Sequence, residues 1–308
     1  MDVKVFESHE VLPVLRALRD VALANEAFSP AEADFIEGVA RLHGQTVIAR
    51  ELMPIDAHEL ARVLGDPQRR KRAVQLAIVT SLIEGETDTR GSEAVRRLAD
   101  VLEVPEAGLS VLSSVAHGRS MLARFDVLRR MRHFVERSTG RGMFSLAVPA
   151  LLGLNEDSAV AARYWALGKL PTGSLGRALY DHYRSHGFAL PGEKHGVPEQ
   201  MLFHDIGHVF AGYDVDPQGE IQQAAFQAGF VRTDGFLFLL FGILQFHLGV
   251  RITPIAKSEH GYFDVAKVLR AVERGAACKV DFSDGFDFFG HAPQPLAELR
   301  QRFGIPPL

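Results

Sequence analysis

The stretch SPAEADFIEGVARL (29–42) leaves little freedom in what it folds into. Ser29 is a cap, Pro30 fits the first helical position and Glu32 completes a capping box, after which Phe35, Ile36, Val39 and Leu42 recur at helical spacing. Helical stretches alternate with short polar breaks over the first ~135 residues, and no strand-like alternation persists. The expected fold class is therefore all-α, in two helical domains.

About sixty residues after the first pattern, SLIEGETDTRGSEAVRRLADVLEV repeats it: apolar helix end, acidic loop, then a helix with Val95, Leu98 and Leu102 inward. This duplicated layout resembles the tellurite-resistance TerB-like helical domain over residues 10–118. The resemblance implies an acidic patch for a cation at Glu26, Glu84, Glu86 and Asp88; acids in one exposed loop otherwise form a solvated surface. Arg69 to Arg72 (RRKR) open a helix against its dipole, which reads as a solvated face or a docking surface. Charge and two glycines in RSTGRGM (137–143) mark the expected boundary between domains 1–137 and 138–308.

The longest apolar run, Phe236 to Phe241, continues through Ile243, Leu244, Phe246 and Leu248, but Gln245 and His247 interrupt it short of the roughly 20 residues that a spanning helix needs. It reads as a buried helix or the lining of a greasy cavity; Gln245 and His247 within it, and His182 and His186 upstream, are candidate supporting or proton-transfer groups. A formal charge of -4, from 34 basic and 38 acidic residues, gives no general attraction to nucleic acid or an anionic membrane. The single cysteine, Cys278, excludes an internal disulfide and fits a reducing compartment. Asp2, Glu7 and Glu10 stand where a leader would be basic, so a cytoplasmic protein is expected, with peripheral membrane contact open to it.

The chemistry concentrates in MLFHDIGHVFAGYDVDPQGE. Met201, Leu202, Phe203, Ile206, Val209 and Phe210 are residues that a helix turns toward a core, so the histidines and aspartate among them need partners. On a helix from about Pro198 to Ala211, His204 and His208 project from one face. Asp205 sits about 100° around, placed either to add an oxygen ligand or to orient an imidazole. Gly212 ends this helix; Asp216 and Pro217 start the next, with Glu220 in its first turn. The short connection makes the two helices antiparallel neighbours, so Glu220 can face both imidazoles. Two neutral imidazoles and two carboxylates suit a divalent ion, zinc first, with iron or manganese as alternatives.

His204-Asp205-x-x-His208, eleven residues and Glu220 resemble the metal motif of the coenzyme Q biosynthesis protein 4 family. The segments LPTGSLGRALYDHY, VERGAACKVDF and PLAELRQRFGI resemble that family too, so the likeness covers about residues 145–308. It implies His204, Asp205, His208 and Glu220 as ligands, Asp205 and Glu220 as catalytic, and a hydrophobic cavity for a prenylated aromatic ring. The implied activity is oxidative decarboxylation at the ring's C1 position in quinone biosynthesis, alongside other enzymes of that pathway, by a homo-oligomer. Zinc cannot activate oxygen itself, so either the electron-rich ring meets oxygen directly or the ion is iron or manganese. The run 236–248 would house the apolar tail or pack as core.

Two other readings compete. FHDIGH also resembles the His-Asp pair of HD-domain phosphohydrolases and their di-iron oxygenase relatives, which would draw on His182 or His186 and on Asp234. Alternatively the chain is a non-catalytic lipid scaffold with a structural ion, a reading that four protein ligands with no open position would support.

Overall fold

Helix starts in this chain are set by side chains that satisfy otherwise orphaned amides. The Ser29 hydroxyl accepts the Glu32 amide at 3.1 Å while the Glu32 carboxylate accepts the Ser29 amide at 2.9 Å, forming the expected capping box. Asp56, Asp66, Asp88, Ser174, Asp216 and Asp264 cap other helices by accepting a first-turn amide, without the reciprocal bond.

The computed structural model describes residues 1–26, 28–85, 88–140, 142–253 and 256–308. Among them the protein is all-α, with helices α1 (Ser8–Ala22), α2 (Pro30–Leu42), α3 (Ala57–Val63), α4 (Pro67–Leu82), α5 (Thr89–Val101), α6 (Gly108–Ala116), α7 (Ser120–Thr139) and α8 (Met143–Leu152). There follow α9 (Ser158–Ala166), α10 (Leu175–His186), α11 (Phe203–Ala211), α12 (Pro217–Phe230), α13 (Phe236–Phe246), α14 (Val265–Ala277), α15 (Phe288–His291) and α16 (Leu296–Arg302). None of the described helices is long and apolar enough to cross a membrane.

The core is one connected cluster drawn from both halves of the chain. At its centre α12 packs against α13 and α14. Glycines make the second contact close: a Cβ on Gly275 would lie 2.0 Å from the Phe226 carbonyl oxygen, and one on Gly229 would lie 2.4 Å from the Ala276 nitrogen. α14 also packs on α2, and α13 on α4 and α7, which carries the core into the N-terminal half. Polar bonds cross at the same place. Arg130 of α7 holds Asp234 at 2.9 Å, and the His247 ring bonds the Ile83 carbonyl at 2.8 Å. The boundary expected at residue 137 falls in the last turn of α7, which Gly140 ends at φ 67°.

Several residues have settled structural partners. Every residue of α13 except Phe241 is buried in the core, and each such Phe or Leu stabilises the fold by roughly 1.5–3 kcal/mol. Gln245 accepts the Ile252 and Thr253 amides and donates to the Ala256 carbonyl; His247 accepts the Phe263 amide. Both therefore pin the connection after α13. Arg69 pairs with Glu7 and Glu10, and Arg70 bonds the Leu64 and Ala61 carbonyls, so these two residues tie α4 to its neighbours. In the acidic patch, Glu26 pairs with Arg90 at 3.3 Å and Asp88 caps α5, while Glu86 lies outside the described residues.

Candidate metal centre

The segment expected to be helical from Pro198 is not helical throughout. Pro198 is extended (φ -58°, ψ 137°), a single 3₁₀ turn covers Glu199–Met201, and α11 begins only at Phe203. Sequence periodicity does not separate such a turn from the helix it leads into, because both place apolar residues inward. The end of α11 is as expected, with Gly212 left-handed at φ 79°. Its last carbonyls are held from the C-terminal segment: Arg300 donates to Phe210 and Val209 oxygens at 2.9 and 2.8 Å, and Arg274 to that of Ala211 at 3.0 Å. Two cations at this helix end also suit its dipole.

Asp216 caps α12 by accepting the Gly219 amide at 2.6 Å, with Pro217 in the first turn. α12 then lies close to α11. A Cβ on Gly219 would stand 2.1 Å from the Asp214 carbonyl oxygen, so glycine there permits the tight connection. Across the gap Gln223 donates to the His204 carbonyl at 3.1 Å.

This packing brings three predicted residues together. His204 Nε2 lies 3.2 Å from His208 Nε2 and 3.5 Å from one Glu220 oxygen, and the other Glu220 oxygen is 3.6 Å from His208 Nε2. Histidine tautomers explain what these atoms offer. The Tyr213 carbonyl can only accept, so at 3.1 Å it fixes the proton of His208 on Nδ1 and leaves Nε2 with a bare lone pair. Gln227 Oε1, 3.0 Å from His204 Nδ1, does the same for the other ring. Both Nε2 atoms thus face Glu220, where a positive charge is favoured. Burial disfavours charge on His204, but bonding to Glu220 and its charge outweigh this and push the imidazole up to about 9. Burial would raise the Glu220 carboxyl, yet both imidazoles draw it down to about 2.

The group His204, His208 and Glu220 could hold a metal ion. An ion with tetrahedral bonds of about 2.0–2.2 Å sets its ligand atoms about 3.3–3.6 Å apart; the two imidazole nitrogens stand 3.2 Å apart, and each meets a different Glu220 oxygen. The His208 side chain is 1% exposed, but that of His204 is 38% exposed, so the centre opens toward solvent on the His204 side.

Asp205 is not in this group of three. Its Oδ2 accepts the hydroxyl of Tyr183 on α10, and burial, with the charge of Asp205, raises that phenol well above its ordinary range, so it stays a donor. His182 stacks on His208 with ring centroids 5.6 Å apart, and its Nε2 is buried with no hydrogen-bond partner among the described residues. Burial first, then the neighbouring His208, lowers His182 to about 4. Its ring is 4.8 Å from that of His186, which stacks on Phe188 and bonds Asp214 at 3.2 Å. Asp234 is engaged by Arg130 instead.

Two clefts lie elsewhere. One of about 440 Å³ is lined by Tyr164, Leu202, Phe203, Ile206, Phe286 and Phe288. By helical geometry it meets the face of α11 turned away from His204 and His208. The other, about 600 Å³, includes Glu156, Trp165 and Lys194. Neither includes a residue of α13.

Gln223, Gln227, Tyr183 and the Tyr213 carbonyl were not foreseen. Gln223 and Gln227 share a face of α12 with Glu220, at three and seven residues' remove. Polar residues at that spacing in an apolar helix are the signal that could have found them. Against known proteins, the chain matches no family model and no curated protein.

Proposed function

We propose that the protein is a metal-dependent enzyme acting on an aromatic acid of the quinone-precursor type. The observation that carries this reading is the convergence of three residues that each offer a ligand atom, His204, His208 and Glu220. Three protein ligands with remaining positions for water or substrate are characteristic of catalytic centres, whereas structural zinc sites are closed by four. Two imidazoles and a carboxylate suit zinc first, with iron or manganese as alternatives. When bound, the ion supplies Lewis-acid polarisation of a carboxylate or phenolic oxygen.

The chain's own residues supply the rest. Gln227 and the Tyr213 carbonyl orient the imidazoles, and Glu220 offsets the charge of the ion. The rings of His182, His186 and Phe188 form a wall from His208 to the surface, where Phe188 is 41% exposed. An aromatic substrate can stack on such a wall. The motif's likeness to the coenzyme Q biosynthesis protein 4 family supports a prenylated ring and loss of its C1 carboxylate, in company with other quinone-biosynthesis enzymes. The packed state of α13 gives a prenyl tail no room there, so the tail would lie along the surface beyond Phe188.

Four protein ligands with no open position would support the scaffold reading; three residues are gathered here. The phosphohydrolase reading needs Asp234, which Arg130 occupies. Complementation of cells lacking the C1 decarboxylation step is the test. Wild type is expected to restore quinone and folded Glu220→Ala to give under about a tenth of it; equal rescue by the two would exclude the catalytic reading.

A further inference from the structure

The cleft of about 440 Å³ has a lining that the metal centre does not use. Its floor is aromatic: Tyr164 of α9, Phe203 of α11 and Phe288 of α15 are buried, and Phe286 and Phe289 are half-buried beside them. Phe289 packs edge-to-face against Tyr164 at 5.3 Å and against Phe288 at 5.2 Å. Two carboxylates, Glu199 and Asp287, stand on the rim. One oxygen of each is engaged. Glu199 Oε1 accepts the Tyr164 hydroxyl at 3.0 Å, and Asp287 Oδ1 accepts the Gly290 amide at 3.0 Å as the cap of α15. The second oxygen of each has no hydrogen-bond partner among the described residues.

The chain's own cation shows what such a lining accepts. The Arg163 guanidinium lies over the Phe289 ring, 4.3 Å from its centroid, and 3.5 Å from Glu199 Oε1, with its side chain still 53% exposed. Arg163 is the one basic residue against two acids in the lining. A positive charge here meets both an aromatic face and a carboxylate, whereas an anion would be repelled by the two acids and a neutral ligand would leave them without a counter-charge. We infer that this cleft is a second ligand site, for a small organic ammonium whose charged end faces Glu199 and Asp287 and whose apolar body lies on the rings. Phe203 and Ile206 project from the face of α11 turned away from His204 and His208, so the site requires no ion.

The test is calorimetric titration of the full chain with phenyltrimethylammonium, with benzoate and benzyl alcohol as anionic and neutral counterparts. The ammonium is expected to bind about tenfold or more tighter than either. Glu199→Gln and Asp287→Asn keep the bonds to Tyr164 and Gly290, and each should weaken it about threefold. Phe289→Leu, which removes the aromatic face, should weaken it about fivefold; the two rim variants decide the matter if this one does not fold. Arg163→Gln sets the sign: it removes a competing cation, so ammonium binding tightens about threefold, while an anion site would lose affinity. The other cleft places Glu156 and Glu193 near Trp165, and Glu156→Gln should leave ammonium binding unchanged. Tighter binding of benzoate, weaker ammonium binding in Arg163→Gln, or a loss in Glu156→Gln with none in Asp287→Asn overturns the inference. So does a wild type that does not bind phenyltrimethylammonium at millimolar concentration.

Discussion

A backbone carbonyl decides what His208 can do. Because Tyr213 O accepts from Nδ1, Nε2 is the atom that faces His204 and Glu220. Without a cation the cluster holds a proton instead, which is why His204 is pushed up to about 9 while Glu220 is drawn down to about 2. The sign of the pH dependence follows. Below pH 9 His204 is protonated and a metal must displace that proton, so affinity falls by roughly tenfold per unit as the pH drops from 9 toward 7. Calorimetric titration with Zn(II) at pH 7.5, in buffers of different ionisation enthalpy, should show about one proton released per ion. Release near zero, with affinity flat between pH 7 and 9, would contradict this protonation pattern. At this scale the sequence was legible where spacing along one or two helices fixes the face, as for His204, His208 and Glu220. It was not legible where the partner comes from a distant segment: nothing in LYDHY says that Tyr183 will meet Asp205.

At the scale of elements, the α11–α12 pair is made by its connection. Gly212 ends one helix in the left-handed region and Asp216 caps the next, and both were readable because caps are local chemistry. The onset of α11 was not, since the extended Pro198 and a 3₁₀ turn precede it. Gly219 is the tightest point. A methyl group there would press on the Asp214 backbone, with nothing flexible to yield, and would disturb the segment that carries Tyr213 to His208. Gly219→Ala should therefore cost about 1–3 kcal/mol of stability and weaken Zn(II) binding by about tenfold or more. Gly65, where a Cβ would meet open space within 4 Å, is the comparison. Gly65→Ala should leave both quantities unchanged, and equal behaviour of the two variants in chemical denaturation and metal titration would refute the role given to Gly219.

At the scale of the molecule, one buried cluster joins helices that the sequence divides near residue 137. Periodicity announces each helix but not its neighbours, so the packing of α14 on α2 and of α13 on α4 and α7 had no signal in composition or spacing. The apolar run 236–246 shows the same limit. Its pattern fits a cavity lining and a core helix equally, and only its surroundings show that it packs in the core. Set within that core, α12 presents Glu220 from a rigid base to the open edge of α11. The most direct measurement is anomalous diffraction from crystals grown with Zn(II). One ion is expected about 2.0–2.2 Å from His204 Nε2, His208 Nε2 and a Glu220 oxygen, with Asp205 still on Tyr183; a map with no ion there and Glu220 turned to solvent would contradict it.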